Sequence, residues 1–414
     1  MSHRIAGIDV HKKMLAVVVA DSAREGELHF ERRKFLSGPG ELRKLAEWLD
    51  QLQVQEAVME STAQYWQPVW QALEGRCHLE LAQAQSNRGP RGRKSDFRDA
   101  ERLVRRYMAD ELILSFVPDP EQRLWRTLAR TKQQLTHDKA RLQNRLEALL
   151  EEMRIKLSSL VSDLLGVSGR RMLKALADGE KDAARLAALA DSSLRATQQQ
   201  LCDALSAAAT LNGHYRRVLR QFLDRLELNE RQIAELEQEL ATTLKEHESA
   251  VARLAEVPGL GVDSAQQIIA EVGPKAETFP SAAQLCSWVG TCPGKEESAE
   301  ESKSDRSPKG NRAMRRILNQ SANAAVKAKG SVFQGLYRRL KGRNPKGHKR
   351  AVWAVANRLC RIIWKILHDG VRYQERGSGP NTRAVRKRAQ RLLRELRGLG
   401  YQVQLTTTQH AALT

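Results

Sequence analysis

The sequence predicts an α/β domain followed by all-α regions, and three observations point to it. Short β-branched runs alternate with helical spacing over roughly the first 113 residues. Leucines then recur at every seventh position in two separate runs. Beyond them lies a third, mainly helical segment dominated by lysine and arginine. The expected divisions are 1–117 (α/β), 118–250 (a long-helix, coiled-coil middle), 251–370 (a mainly helical domain) and 371–414 (a basic tail).

The first region opens on apolar runs at Ile5 to Val10 and Met14 to Ala20, both read as strands. Leu28 to Leu36 is read as a third strand with a polar face. Leu42, Leu45, Trp48 and Leu49 give Glu41 to Gln53 helical spacing. A short strand over Ala57 to Met59 ends at Glu60. Tyr65 to Leu73 is read as a helix, His78 to Ala82 as a strand, and Asp96 to Met108 as a helix. The order β-β-β-α-β-α-β-α describes an α/β domain with a mixed sheet.

Pro118-Asp119-Pro120 marks a change of character. Leu128, Leu135, Leu142 and Leu149 form one heptad run, and Leu219, Leu226, Ile233 and Leu240 another. The two helices pair either within one chain or between chains, and period seven alone leaves both open. Val257-Pro258-Gly259-Leu260-Gly261 is read either as a helix-hairpin-helix offering amides to a phosphate or as a tight helix–helix turn. Arg383 to Arg397 is read as a basic helix, and Tyr401 to Thr407 as a strand.

The 414 residues carry a net charge of +20, which favours a polyanionic partner through counterion release. From Lys303 to Arg350 there are fifteen lysines or arginines against one acid, Asp305. A run that lopsided is read as a nucleic-acid surface rather than an ordinary solvated face. No apolar run of membrane-spanning length appears, so no membrane is expected as a partner. The N-terminus lacks a signal-peptide core, and the five cysteines form no CxxC pair. The expected setting is a reducing cytoplasm.

Four acids stand out. Asp9 and Glu60 end strands, while Asp96 and Asp99 share a face at a helix start. Taken singly, each reads as a turn residue or as a complement to the helix dipole. Together they form an oxygen-rich set suited to hard divalent cations. Such ions stabilise the attacking and leaving oxygens in phosphodiester chemistry.

Three motifs carry a family resemblance: Gly7-Ile8-Asp9-Val10-His11-Lys12, Met59-Glu60-Ser61-Thr62-Ala63-Gln64-Tyr65-Trp66 and Lys94-Ser95-Asp96-Phe97-Arg98-Asp99-Ala100. They resemble the N-terminal signature of the insertion-sequence transposases that include the Piv-type invertases and the bridge-RNA-guided recombinases. That resemblance implies a RuvC-like, RNase H-like N-terminal domain whose Asp-Glu-Asp-Asp set falls on Asp9, Glu60, Asp96 and Asp99. It also implies Mg2+ or Mn2+ as cofactor, donor and target DNA as substrates, and a guide (bridge) RNA as partner. The heptads, with the need to hold two DNA duplexes at once, predict a homo-oligomer, dimer or tetramer, and the expected setting is bacterial and nucleoid-associated.

Farther along, Cys292-Pro293-Gly294 leads to Ser298-Ala299, and then Lys309-Gly310-Asn311-Arg312-Ala313-Met314-Arg315-Arg316 follows. This resembles the family's C-terminal domain, whose serine becomes covalently linked to DNA phosphate. By position that serine is Ser298, with Ser302 as the second choice. Here Glu300-Glu301 follow, where the family has glycine and lysine. The expected nucleic-acid contacts are Arg88, Arg91, Arg93 and Lys94 before the Asp96 helix, then Lys309, Asn311, Arg312, Arg315 and Arg316. Arg343, Lys346, Lys349 and Arg350 form a further cluster. The reading is a transposase or recombinase working through a serine–DNA intermediate. Its alternatives are a metal-dependent nuclease or junction resolvase that uses water, and a non-catalytic nucleic-acid-binding scaffold.

Overall fold

The computed structural model describes residues 3–21, 29–61, 63–84, 87, 95–292, 296–298, 301–304, 307–343, 347–375, 377 and 382–403, with only the backbone of 61, 296–298, 301–304, 343 and 382–388. The chain divides into two compact units, Met1–Asp119 and Pro120–Thr414.

The first unit is built on a six-stranded sheet of order β3-β2-β1-β4-β5-β6. Its strands are β1 (Arg4–Val10), β2 (Met14–Asp21), β3 (His29–Leu36), β4 (Glu56–Ser61), β5 (His78–Ala82) and β6 (Leu114–Ser115). β1, β4 and β5 run parallel, and the other three are antiparallel to their neighbours. The two-residue β6 has no periodicity to betray it in the sequence.

Strand alternation sorts the side chains of β1 onto two faces. Ala6, Ile8 and Val10 enter a core shared with α1 (Pro39–Gln51) and α2 (Trp66–Leu73). The odd positions of β1 face α3 (Asp96–Met108), where Ile5 packs with Val104. β2 is buried along nearly its whole length because helices cover both faces, which explains its unbroken Leu-Ala-Val-Val-Val-Ala run. β3, at the edge, is mostly exposed and carries the charged residues Glu31 to Lys34.

In the second unit, α4 (Pro120–Glu152) and α8 (Gly213–Thr243) lie antiparallel within one chain. Lys132 meets Glu237 at 3.1 Å, Lys139 meets Glu230 at 2.8 Å, and Tyr215 Oη donates to Glu152 at 2.8 Å. Near one end, Leu142, Leu146, Leu149 and Leu150 join Leu219, Leu223 and Leu226 in a core shared with α5 (Val167–Asp178), α6 (Ala183–Ala187) and α7 (Gln198–Leu205). Near the other, Trp125, Leu128, Ala129, Leu240 and Leu244 join a separate core. That core is shared with α9 (Glu248–Ala255), α10 (Val262–Val272), α11 (Ala282–Val289), α12 (Arg312–Ala325), α13 (Val332–Arg343) and α14 (His348–His368). Between the two cores the seam is polar. Leu135 and Ile233 are only half-buried, and the buried Lys132 ammonium pairs with Asp263 and Glu237.

The turn after α9 is a close-packing device. Gly259 has φ +91°, and a Cβ there would stand 2.4 Å from the Ser321 carbonyl oxygen of α12. The Gly261 amide already donates to Ser264 Oγ at 2.8 Å. The tight-turn reading of this segment accounts for both facts. β7 (Glu296–Ser298) and β8 (Glu301–Ser304) form a small antiparallel hairpin, and α15 (Thr382–Gly398) is the basic helix read from the sequence. Tyr401–Val403 form no strand, contrary to expectation, and the rest of that stretch lies outside the described residues.

Candidate functional site

Strand register brings the first two acids together. β1 and β4 are parallel neighbours, and Asp9 lies directly opposite Glu60. Both side chains emerge on the α3 face. The opposing residue on β2 is Ala16, too small to fill the space above Asp9. α3 supplies Asp96 and Asp99 in its first turn, where negative charge suits the helix dipole.

Gly7 sets the depth at which α3 docks. A Cβ at this position would stand 2.5 Å from the Ala100 carbonyl oxygen and 2.6 Å from Val104 Cγ2. Only glycine lets the helix backbone settle so close to β1. Because Gly7 and Asp9 share a face, the same approach brings the start of α3 toward Asp9.

The electrostatics record the crowding. Asp9 is pushed up to about 6, first by burial and then by Glu60, Asp99 and Asp96, with His11 opposing. Each acid also has a donor beside it. His11 Nε2 lies 3.1 Å from Asp9 Oδ2 and 3.7 Å from Asp96 Oδ1, and Lys34 Nζ is 3.6 Å from Asp96 Oδ2. Arg102 donates to Asp99 at 2.6 Å, and its Nε reaches the Asn87 carbonyl at 3.1 Å. The buried Asn87 amide donates to Glu60 Oε2, while its Oδ1 is buried without a hydrogen-bond partner among the described residues. Asp9, raised by burial and then by the neighbouring acids, and Asp96 bring ligand oxygens within 4.8 Å of each other, a set that fits a divalent cation.

His11, Lys34, Asn87 and Arg102 are site residues that the motif reading passed over. His11 had a signal: it stands two residues after Asp9, just past the end of β1. Asn87 had none, lying in a stretch rich in Gly, Pro and Arg with no period. The basic residues of that stretch, Arg88, Arg91, Arg93 and Lys94, are outside the described residues.

The second segment is held at its base. Gly290 has φ +75°, and Gly310 approaches so closely that a Cβ on it would stand 2.3 Å from the Val289 carbonyl oxygen. The Asn311 amide donates to the Trp288 carbonyl at 3.1 Å. Arg315 bridges both stems, donating to the Gly290 carbonyl, to the Pro308 carbonyl at 3.0 Å and to Ser307 Oγ at 3.3 Å. Its guanidinium also lies over the Trp353 ring, 4.6 Å from the centroid. The stretch clamped in this way contains the β7–β8 hairpin. Ser298 ends β7 and pairs with Glu301, and Ser302 lies opposite Glu297. The side chains of both serines are outside the described residues.

Several residues expected at a nucleic-acid surface have internal roles. Asn311 caps α12 by accepting from the Met314 amide at 2.9 Å and donates to Glu271 Oε2 at 3.0 Å. Glu271, almost fully buried, also receives both arms of Arg130, at 2.8 and 2.9 Å. Arg316 donates to Gln267 and, at 3.0 Å, to Gln320. Lys309, Arg312, Lys349 and Arg350 are exposed. The side chain of Arg343 and the whole of Lys346 lie outside the described residues. Trp364, whose indole donates to the Phe279 carbonyl at 2.7 Å, packs against the core.

An N-terminal domain with an acidic cluster and a C-terminal domain with a clamped hairpin define a class, and the comparisons agree with it. Residues 6–155 match a family described as Transposase, the DEDD type of IS110 elements, and residues 251–338 match the Transposase IS116/IS110/IS902 family. The chain belongs to this IS110/IS116/IS902 transposase family, whose two domains it carries. Over 124 residues it is 31% identical to the protein named Insertion element IS110 uncharacterized 43.6 kDa protein, from Streptomyces coelicolor. That stretch covers 30% of this chain and 30% of the relative. No helix among the described residues is long and apolar enough to cross a membrane.

Proposed function

We propose that this protein is a transposase that cuts and rejoins DNA strands, with a divalent-metal centre in its first unit and a serine nucleophile in its second. The observation that carries the reading is Asp9 lying opposite Glu60 in register, with Asp96 and Asp99 entering from the start of α3. The β3-β2-β1-β4-β5 order, with β2 antiparallel to β1, supports an RNase H-like, RuvC-like domain. Asp9, Glu60, Asp96 and Asp99 would hold Mg2+ or Mn2+. Such an ion supplies charge neutralisation at a phosphodiester and lowers the pKa of a hydroxyl nucleophile.

In this reading Ser298 Oγ forms a bond to the DNA phosphorus while the bond to one sugar oxygen breaks and that oxygen takes up a proton. The phosphoester is conserved, so the strand is rejoined by the reverse exchange without an external energy source. Gly290, Gly310 and Arg315 hold the base of the segment that bears the serine. Lys309, Arg312, Lys349 and Arg350, with Arg88, Arg91, Arg93, Lys94, Arg343 and Lys346, contact the nucleic-acid backbone. A guide RNA pairs with donor and target DNA on this basic surface. The long α4–α8 pair serves as a coiled-coil oligomerisation arm within 118–250. The metal half is carried by residues 1–117 and the serine half by 251–370, followed by a basic tail.

One experiment separates this reading from a water-using nuclease. Protein is incubated with donor DNA, target DNA, RNA transcribed from the flanking element and Mg2+, then analysed for DNA that remains attached after denaturation. The expected result is an attached adduct that is lost in Ser298→Ala and kept in Ser302→Ala. Strand cleavage by Ser298→Ala at the wild-type rate, with no adduct in either protein, would assign the attack to water.

A further inference from the structure

We propose that His11 is a nitrogen donor to the acidic centre, binding one divalent ion jointly with Asp9 and Asp96 and raising the preference for Mn2+ over Mg2+. The inference rests on the metal reading given above and adds a residue outside the four-acid set.

Local structure fixes the imidazole where an ion would need it. β1 ends at Val10, and the His11 amide donates to the Met14 carbonyl at 3.0 Å in the turn that follows. The backbone is therefore held, and the ring lies beside Asp9, with Nε2 3.1 Å from Asp9 Oδ2. His11 Nε2, one Asp9 oxygen and one Asp96 oxygen all lie within 4.8 Å of one another. Donor atoms about 2.1 Å from a shared ion stand about 3.0 Å apart at a right angle and about 3.4 Å apart at a tetrahedral angle. The contacts from Nε2, 3.1 Å to Asp9 Oδ2 and 3.7 Å to Asp96 Oδ1, suit ligands of one ion with little rearrangement. Lys34 approaches the other Asp96 oxygen, Oδ2, so the two neighbours do not compete for one atom. The His11 side chain is 48% exposed, which leaves the ion a route in.

Donor chemistry sets the preference. Mg2+ favours oxygen ligands and keeps much of its water, whereas ions later in the first transition row accept imidazole more readily. An all-carboxylate site would separate Mn2+ from Mg2+ weakly, and one imidazole widens the gap.

The test uses full-length protein loaded with Mn2+ and read by pulsed EPR, which detects a directly bound imidazole through its 14N coupling, together with titration of Mn2+ and Mg2+. Wild type is expected to show the coupling. His11→Gln and His11→Ala should lose it and bind Mn2+ about tenfold more weakly, with Mg2+ affinity changed less than about threefold. Asp9→Asn should abolish the site for both ions. Mn2+ binding that depends on Asp9 but lacks 14N coupling in wild type, or coupling that persists in both His11 variants, would overturn the proposal and leave the acidic metal centre standing. Absence of any Asp9-dependent binding would instead remove the metal reading itself. Circular dichroism of each variant separates lost binding from lost fold.

Discussion

Gly7 sets how closely α3 docks on β1, and Asp9 holds a perturbed charge in the acidic cluster. Gly7→Ala puts a methyl group into the Ala100 carbonyl and the Val104 side chain, both closer than side chains tolerate. Overpacking of this kind typically costs about 1–3 kcal/mol. Urea unfolding should show that loss, and because α3 must move, divalent-ion affinity should fall with it. Asp9 gives a pH signature in chelator-treated protein. Its folded pKa is raised to about 6 from 3.8, so the folded state holds the proton more tightly than the unfolded one. The stability this contributes is fully present below about 3.8 and is lost as pH rises through about 6. Asp9→Asn should therefore melt higher than wild type at pH 7.5, with the difference closing as pH falls toward 4. Added divalent ion should raise the melting temperature of wild type and leave that of the variant unchanged. Periodicity placed Asp9 and Glu60 at strand ends and Asp96 and Asp99 at a helix start, but only the family resemblance singled them out as a set. Asn87 was not, since what buries it is a contact across 27 residues that no local pattern encodes.

Among the elements, α4, α10 and α12 meet at Glu271, which Arg130 and Asn311 both engage. Glu271→Ala removes the buried acceptor that the half-exposed Arg130 and Asn311 share and should cost about 1–3 kcal/mol in chemical denaturation. A loss below about 1 kcal/mol would mean that water replaces the carboxylate. The Arg315 clamp belongs to the same scale. Arg315→Lys cannot bridge both stems while stacking on Trp353, so hydrogen exchange across 291–308 should quicken while nucleic-acid affinity changes less than about twofold. Unchanged exchange, with weaker binding and a flatter salt dependence, would make Arg315 a phosphate contact instead. The heptads announced two long helices but not their partner, because period seven defines a seam and not what lies across it. The polar middle at Lys132 was hidden for a related reason. The heptad residues Leu135 and Ile233 keep the period even where the surrounding core thins.

For the whole molecule, the chain divides into units Met1–Asp119 and Pro120–Thr414, and the sequence suggested a change of character near Pro118-Asp119-Pro120. It separated the long-helix middle from the C-terminal helices. In the structure α4 and α8 contribute to both cores of one unit, through contacts such as one 131 residues apart that composition does not signal. A net charge of +20 and the basic run from Lys303 to Arg350 predict that nucleic-acid binding weakens steeply with salt. An affinity that stays flat between 50 and 200 mM salt, about the range over which several phosphate contacts lose three decades, would contradict a backbone-bound complex. The proposed role of the acids around Asp9 is to drive DNA strand chemistry through a divalent ion. Its most direct test is recombination of the element with its own flanking DNA in cells, comparing wild type with Asp9→Asn and Glu60→Gln at matched protein levels. Recombinant junctions are expected from wild type alone, and junctions from either variant at the wild-type frequency would show that these acids do not drive the reaction.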